Sequence, residues 1–454
     1  MMDLLRVTGS LTRADGKTYR QHPFRVPPGI EALRIAFTYD RGGDFPHSLV
    51  TLQLFDPIVC RGAAHRFAPR QTIEIGEHGA TPGFLPGPVS AGEWTAEIDV
   101  HCVIPRVDGR ANEYRLEIEG LASSLPGGQE TIRGTASSFV PTGERTWLRG
   151  ELHVHSEHSD GRWTIADIAE RARGRGLDFL FLTDHNTASG VDLLRARLGD
   201  AVAVHPGIEL TTYHGHALAL GAEHWLDWRT GLRGRTADDV ARDVRAASAF
   251  FVVAHPDAPP DDVCTGCRWT YADFDPSLAG AVEVWGGLWD GPEERNQGCL
   301  ELWRNWLNAG HRLTATGATD AHRPEDWEGP VPLTYVRAPD ASLPAILEAL
   351  RSGRTYVSSG PFLELRALRG GQVVAEVGDS VERSSRPVVE AHCQGSPPAL
   401  LRVIANGQVV AQEPVTGEGR LAVPADPGRS WCCAELWSPA GDVLLAVTSA
   451  LYLA

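Results

Sequence analysis

The feature that most constrains the fold is an alternation of short apolar runs with amphipathic segments between residues 150 and 351. The runs at 179–182 and 250–253 have the length and the aromatic or aliphatic content of buried strands. We predict strands near 150–155, 178–183, 201–204, 207–209, 217–220, 250–254, 281–285, 313–317 and 333–337, and helices near 164–175, 236–248, 293–309 and 342–351. This alternation indicates an α/β domain with a largely parallel sheet or barrel.

The segments on both sides of this region are β-rich. The first 145 residues contain alternating runs at 33–39, 50–55, 94–100 and 114–119, separated by Pro-Gly turns. After residue 360, runs at 362–365, 388–391 and 401–404 precede Asn406-Gly407, a dipeptide typical of tight hairpins. We therefore predict three domains: an N-terminal β-sandwich at 1–145 that ends in a linker over 125–145, an α/β domain at 146–360, and a small C-terminal β-sandwich at 361–454.

Composition excludes several classes of protein. The formal net charge of −16 over 454 residues argues against a surface that coats nucleic acid or an anionic membrane. No apolar run reaches the length of a membrane span, and the first residues lack the apolar core of a signal peptide. We expect a cytoplasmic protein that acts on a small molecule, and a local cluster of cations would still allow that molecule to be anionic. The oligomeric state is left open.

Side chains that bind metals collect at the ends of the predicted strands. His153-x-His155 leads into the turn Ser159-Asp160-Gly161, and other strands end at His185, His255 and the pair Asp320 and His322. Of the 17 histidines, 11 lie between residues 153 and 322. In parallel α/β folds the carboxyl ends of the strands meet at one rim, where active sites form. Mixed nitrogen and oxygen donors suit zinc, manganese or iron.

These motifs, in their order, resemble the PHP (polymerase and histidinol phosphatase) superfamily of metallohydrolases over about 146–360. The motifs that carry the resemblance are His153-x-His155, Ser159-Asp160-Gly161, Thr183-Asp184-His185, Gly207-Ile208-Glu209, Gly215-His216, Ala254-His255-Pro256 and Asp320-Ala321-His322. The flanking β-rich segments look like those of the carbaryl-hydrolase-type branch. The resemblance implies a distorted (β/α)7 barrel, flanked by the two β-sandwiches, that holds two to three divalent metal ions.

The resemblance also implies which side chains bind each ion. His153, His155, Glu209 and Asp320 would hold a first metal; Glu209, His216 and His255 a second; and Asp160, His185 and His322 a third. Two cations that share a water lower its pKa and generate a hydroxide nucleophile. A third cation offsets charge that grows in the transition state, which benefits a phosphate ester most.

Further residues beside these motifs are candidates for catalysis. Asp184 is expected to orient an imidazole, or to be a carboxylate of a strand-end turn. Arg162 and Arg323 follow ligand motifs and could clamp a phosphate, or form surface salt bridges. His158 and His214 could protonate a leaving group or be solvated loop residues.

The tryptophans at 269, 285, 289 and 327 could line an apolar substrate pocket or pack in the core. Glu283, on the strand of Trp285, could face the metals or make a structural hydrogen bond. Three functions follow from these alternatives. A metal-dependent phosphoesterase is favoured, a carboxylic-ester or aryl-carbamate hydrolase with the same metals is the alternative, and a binding protein with structural metals is the third.

Overall fold

The structure is a computed structural model that describes residues 1–43, 46–65, 68–124, 146–259, 265–289, 296–426 and 428–454. The described chain is a mixed α/β protein that is rich in sheet and has few helices. The predicted linker at 125–145 and the first residues of the predicted helix at 293–309 lie outside these ranges. None of the helices in the described ranges is both long and apolar enough to cross a membrane.

The N-terminal segment forms two antiparallel sheets around a shared core. Its strands are β1 (Met2–Leu11), β2 (Thr18–Val26), β3 (Ala32–Tyr39), β4 (Leu49–Phe55), β5 (Cys60–Ala64), β6 (Arg70–Gly76), β7 (Gly79–Ala80), β8 (Gly92–Cys102) and β9 (Asn112–Leu121). One sheet has the order β1-β9-β3-β6-β7 and the other the order β2-β8-β4-β5. Phe37 from the first sheet and Trp94 from the second belong to the same buried cluster, so the alternation of apolar residues along these strands fills the space between the sheets.

The middle segment carries the helices and the mixed sheet. Its strands are β10 (Thr146–Glu151), β11 (Phe179–Leu182), β12 (Ala203–Thr212), β13 (Gly215–Leu220), β14 (Phe250–Val253), β15 (Ala281–Gly286), β16 (Thr314–Ala318), β17 (Leu333–Ala338) and β18 (Thr355–Ser358). Its helices are α1 (Ile165–Gly174), α2 (Val191–Leu198), α3 (Ala237–Ala246), α4 (Asn296–Asn308) and α5 (Leu343–Arg351).

The sheet of this segment is mixed, whereas the sequence indicated a largely parallel one. The pairs β10/β11, β11/β12, β14/β15 and β15/β16 are parallel, but β13 runs antiparallel to both β12 and β14. The cause is local, because the predicted strands at 201–204 and 207–209 form the single strand β12, which turns at Tyr213-His214 into β13. A two-residue turn can join only antiparallel neighbours.

Helix boundaries follow the capping residues in the sequence. The side chain of Thr164 accepts a hydrogen bond from the backbone N–H of Asp167, whose carboxylate bonds back to the backbone of Thr164. Thr236 and Asp239 make the same capping box at the start of α3, and each box satisfies backbone donors that the first helical turn leaves unpaired. Helix α2 was not predicted, because it has only eight residues and no side-chain cap.

The C-terminal segment is an antiparallel β structure that joins the middle segment. Its strands are β19 (Phe362–Arg369), β20 (Gln372–Glu376), β21 (Ser380–Val381), β22 (Val388–Ala405), β23 (Gln408–Pro424), β24 (Trp431–Trp437), β25 (Leu444–Thr448) and β26 (Leu451–Leu453). Asn406 and Gly407 have φ of 48° and 78° and close the predicted two-residue hairpin between β22 and β23. Strand β18 pairs with β25. The domain boundaries, the (β/α)7 barrel and the two β-sandwiches stay predictions.

Candidate functional site

The His153–His155 pair lies just beyond a strand, where it was predicted to lie on one. Strand β10 ends at Glu151, and the chain continues extended, with a single bridge between Val154 and Ala321. The carboxylate of Glu151 accepts hydrogen bonds from the backbone of His153 and from Thr319, which fixes this extension against the loop after β16. The two imidazoles converge, and their Nε2 atoms are 3.0 Å apart.

Two carboxylates meet this pair of imidazoles. Oδ1 of Asp320 lies 3.3 Å from Nε2 of His153 and 3.1 Å from Nε2 of His155. Oε2 of Glu209, on β12, lies 3.5 Å and 3.3 Å from the same two atoms. Four donor atoms from three separate parts of the chain therefore face one another at a common point.

The second carboxylate oxygen of Glu209 faces a different pair of imidazoles. Its Oε1 lies 3.0 Å from Nδ1 of His216, on β13, and 3.0 Å from Nε2 of His255, which follows β14. Glu209 is fully buried. Its two oxygens thus contact separate groups of nitrogen donors, an arrangement that suits a bridging carboxylate.

The remaining predicted ligands, His185 and His322, lie next to Asp160. Its Oδ1 lies 3.4 Å from Nε2 of His185 and 3.2 Å from Nε2 of His322. His185 also reaches Glu209, with Nδ1 2.8 Å from Oε2, and the ring of His155 stacks on that of His322 at 4.2 Å. The structure thus brings all nine predicted side chains into one cluster, in which the three groups share members.

Backbone conformation contributes to this convergence. His255 and Asp320 have positive φ, 27° and 52°, in a region that residues other than glycine seldom adopt. Gly161 sits against the backbone of His155 and Ser156, where an added Cβ would approach to 2.7 Å. Strained backbone at functional positions is a recurring property of active sites.

The electrostatics of the cluster keep its acceptors ready for a cation. Burial alone would raise the pKa of Glu209, but His185, His153 and His216 hold it well below its usual range. Burial, with His322 and His185 nearby, lowers the pKa of His155 to about 4, which leaves its ring neutral. Burial would also lower the pKa of His322, but Asp160 and Asp320 raise it to about 10. The carboxylates therefore stay ionised and draw positive charge to this point.

The donor set fits divalent cations. Within the described ranges, Nε2 of His216 is buried and makes no hydrogen bond, and the nitrogens nearest Oε2 of Glu209 and Oδ1 of Asp160 belong to other imidazoles of the cluster. Leaving such atoms unsatisfied is costly unless a ligand completes them. Donor atoms at 2.0–2.2 Å from a tetrahedral ion are roughly 3.3–3.6 Å apart, close to the separations found between the imidazoles and carboxylates here.

The cluster forms the floor of a cavity of about 340 Å³, with arginines at its rim. Arg162 and Arg323 both line it and are exposed. The guanidinium of Arg323 donates to Oδ1 of Asp326 at 2.9 Å. None of the described hydrogen bonds or ion pairs engages the side chain of Arg162, which leaves it able to reach an anion.

Asp184 is buried in the loop that carries the ligands. Its carboxylate accepts hydrogen bonds of 2.7 Å from the backbone and hydroxyl of Ser156 and from the hydroxyl of Ser159. The Ser159 hydroxyl lies 3.5 Å from Nδ1 of His155. Asp184 thus reaches a ligand imidazole through Ser159, and it shapes the turn that follows the His-x-His pair.

The two loop histidines differ. His158 is only 2% exposed, and its Nδ1 lies 2.8 Å from Oγ of Ser189 and accepts from the backbone N–H of Gly83 at 3.3 Å. It lines a second cavity of about 540 Å³ rather than the metal-binding one. His158 is therefore not the solvated loop residue that was one of the two alternatives, and its ring lines the second cavity. His214 is exposed, in agreement with a solvated loop residue.

The four tryptophans do not line the cavity of the cluster. Trp285, Trp289 and Trp327 are buried and donate their indole N–H groups to Gly287, Asp442 and Thr319, respectively. Trp269 packs partly buried against a hydrophobic core of the middle segment. The prediction of a tryptophan-walled pocket is wrong, and core packing is the observed role.

Two residues near the site were not assigned a definite role from the sequence. Glu283 accepts from the backbone N–H of His255 at 3.2 Å, and its Oε2 lies 3.2 Å from Nδ1 of His153. His65, from the N-terminal segment, lines the cavity, and its ring centroid lies 4.2 Å from that of His185. The sequence could have indicated a role for Glu283, because it is an acidic residue in a buried strand. His65 belongs to no motif that would have indicated one.

Comparisons with known proteins agree in part with the sequence resemblance. No family model matches the chain. A segment of 96 residues is 35% identical to phosphoribosyl 1,2-cyclic phosphate 1,2-diphosphodiesterase of Eggerthella lenta, covering 19% of this chain and 36% of the relative. The chain thus matches only about a third of the length of that relative.

Two solved structures show partial likeness. A two-domain protein of Bacteroides vulgatus that contains a predicted PHP-like metal-dependent phosphoesterase is 19% identical, covers 72% of this chain and 100% of its own, and has a TM-score of 0.41. An amidohydrolase of Chromobacterium violaceum with bound sulfate is 17% identical, with 38% and 88% covered and a TM-score of 0.26.

Proposed function

We propose that this chain is a metal-dependent phosphoesterase that hydrolyses a phosphate monoester or a small phosphate diester. The observation that carries this proposal is the convergence of nine metal-binding side chains, the buried Glu209 among them, on the floor of a cavity. At its rim lies the guanidinium of Arg162, which has no partner among the described contacts. The local similarity to a protein named as a cyclic phosphate diphosphodiesterase supports the choice of a phosphate centre.

The nine side chains divide into three sets of ligands, of which the first two share Glu209. We assign His153, His155, Glu209 and Asp320 to one cation, Glu209, His216 and His255 to a second, and Asp160, His185 and His322 to a third. Divalent ions such as zinc, manganese or iron, bound there, would supply Lewis-acid chemistry that acidifies a water and polarises a phosphoryl oxygen.

The residues of the chain have distinct tasks in this reaction. The two carboxylate oxygens of Glu209 contact two groups of imidazoles. Glu209 therefore fixes the position of one set of ligands relative to the next. Arg162 is positioned to bind a phosphoryl oxygen through its guanidinium fork. Arg323, engaged by Asp326, is the weaker candidate for that contact, while Asp184 keeps the ligand loop folded through Ser156 and Ser159.

A phosphate ester is a better substrate for this cavity than an aryl carbamate. Tryptophan-rich loops were one motivation for the carbonyl alternative, and those tryptophans pack away from the cavity. The cavity is instead lined mainly by charged and polar side chains, with arginine at the rim, which suits an anionic substrate.

The test combines metal analysis with a panel of substrates. Protein purified without added metal is analysed for zinc, manganese and iron, then reloaded with each ion and assayed on phosphate monoesters, cyclic and linear phosphodiesters, and an aryl carbamate. We expect turnover of at least one phosphate ester above that of the carbamate, and a rise in thermal midpoint on loading. Loaded protein that hydrolyses no phosphate ester would contradict the proposal.

One substitution separates an enzyme from a scaffold with structural metals. Asp320→Asn removes one charged donor from the cluster and keeps the volume of the side chain. In an enzyme it should abolish most turnover while the thermal midpoint without added metal stays close to that of the wild type. A scaffold would instead lose metal-dependent stability and show no activity in either form.

A further inference from the structure

The N-terminal segment contributes side chains to the cavity of the metal-binding cluster. His65, which directly follows β5, and Leu49, the first residue of β4, both line this cavity. Both belong to the four-stranded sheet or its immediate extension, and His65 is only 5% exposed. The cavity is therefore closed in part by a segment that lies outside the region of the ligand motifs.

The ring of His65 is held between two other imidazoles. Its centroid lies 4.2 Å from that of His185 and 5.0 Å from that of His101, whose ring is nearly perpendicular to it. His101 is itself fixed by Thr51, with Nε2 3.1 Å from Oγ1. The position of His65 thus depends on packing from both sides and not on a mobile side chain.

The hydrogen-bonding capacity of His65 is not used by the chain around it. Among the residues that the structure describes, Nδ1 is buried and has no hydrogen-bond partner. Because Nδ1 is sealed within the protein, Nε2 is the nitrogen through which the ring can reach a molecule in the cavity.

We propose that His65 contacts the substrate, its Nε2–H donating a hydrogen bond to an oxygen of the phosphate ester bound in the cavity. The inference rests on the proposed function and narrows its substrate class. A neutral imidazole carries one N–H and a protonated ring carries two, so the contact does not depend on a proton transfer. A cavity of about 340 Å³, lined in part by Leu49 and His65, has room for a compact phosphate ester.

Two further hydrogen bonds join the N-terminal segment to the middle segment near the ligands. Thr187 lies two residues after the ligand His185, and its hydroxyl donates to the carbonyl of Gly83 at 3.0 Å. Tyr213 lies three residues before the ligand His216, and its hydroxyl donates to the carbonyl of Thr18 at 2.9 Å. Both contacts join the N-terminal segment to turns that lie next to ligand residues. They therefore fix the segment that contains His65 relative to the residues that form the floor of the cavity.

The experiment compares His65→Phe and His65→Leu, which both remove the N–H donor, with the wild type in metal-loaded, full-length protein. The matched control is His22→Gln, which alters a histidine of the same segment that pairs with Tyr114 away from the cavity. We expect kcat/KM to fall roughly 10- to 100-fold in both His65 variants, as for a lost hydrogen bond to a charged group, mostly through KM. Metal content, far-UV circular dichroism and the thermal midpoint should match those of the control.

Three other outcomes would decide between the role of His65 and the proposed function. Variants that fold and turn over like the control would overturn the role of His65 and leave the phosphoesterase proposal intact. Loss of metal in proportion to the loss of activity would also overturn it, because His65 would then be a ligand. If the wild type hydrolyses no phosphate ester, calorimetric binding of inorganic phosphate decides: tighter binding to the wild type than to His65→Phe supports the contact, and equal binding refutes it.

Discussion

Nδ1 of His153 lies 3.2 Å from Oε2 of Glu283, on the side of the ring opposite the Nε2 atom that faces His155. The same carboxylate oxygen accepts from the backbone N–H of His255 at 3.2 Å. One buried carboxylate therefore contacts the side chain of His153 and the backbone of His255. It holds the proton of His153 on Nδ1, which frees Nε2 as a donor to a cation.

We expect Glu283→Ala to weaken metal binding and turnover by roughly 10- to 100-fold, the usual effect of removing a group that orients a metal-binding histidine. Glu283→Gln keeps an acceptor oxygen and should lose less. Competition of the protein with a chromophoric chelator measures the affinity directly. Equal metal affinity in the alanine variant and the wild type would show that packing alone orients His153.

The two arginines at the rim should differ in their effect on substrate binding. Arg323 is held by Asp326, whereas Arg162 has no such partner among the described contacts. Arg162→Ala should raise KM for a phosphate ester at least tenfold with a smaller change in kcat, and Arg162→Lys should recover part of the loss, because lysine keeps the charge without the planar fork. Arg323→Ala is the matched control, and a larger effect there would reverse the assignment.

Much of the site could be anticipated because its residues lie at the ends of predicted strands. The run that ends in His255 has an apolar pattern strong enough to place the strand, and strand ends converge in an α/β sheet. The convergence of His185 and Asp320 in space follows from the same topology. At these positions the local sequence pattern and the geometry of the fold agree, so the ligands could be predicted without knowledge of contacts between distant residues.

The rest depended on contacts between remote segments. His65 enters the cavity from a sheet that lies far earlier in the chain, and no spacing rule links it to His185. His158 lies inside a ligand motif, yet its ring is buried between Gly83 and Ser189. Core packing was the favoured alternative for Trp285 because it lies on a buried strand, and its buried neighbours agree with that alternative. Side-chain direction in loops is set by tertiary packing and not by sequence periodicity.

A buried ion pair joins the N-terminal and middle segments and should matter for stability. Nη1 of Arg229 lies 3.0 Å from Oε2 of Glu97, which is fully buried. Arg229→Met should destabilise the protein by about 3–5 kcal/mol, because it leaves the carboxylate of Glu97 without its cation. Adding Glu97→Gln to this variant should recover a large part of the loss.

Urea denaturation measures this effect, and an exposed pair supplies the control. Arg34 and Glu74 are 2.8 Å apart, and their side chains are 44% and 38% exposed. Arg34→Met should cost less than about 1 kcal/mol, since solvent screens such a pair. Similar losses from Arg229→Met and Arg34→Met would show that the buried pair contributes no more than a surface one.

Stability should fall on mild acidification in part because of His205. The ring of His205 is buried between Phe179 and Phe181 and its Nε2–H donates to the carbonyl of Ala341 at 2.9 Å. Burial lowers its pKa to about 4, so between pH 6.5 and 4 the unfolded chain binds a proton that the folded chain does not. Stability is therefore present above this window and is lost as the pH falls through it.

A shift from about 6.5 to about 4 corresponds to a contribution of the order of 3 kcal/mol. His205→Gln, which cannot titrate, should therefore lose less stability than the wild type between pH 7 and pH 4.5 when both are unfolded in urea. His224→Gln, a change at an exposed histidine, should leave the pH dependence as it is in the wild type. If the curves of His205→Gln and the wild type run parallel across this range, burial of His205 does not couple folding to protonation, and the acid sensitivity must come from the other buried histidines.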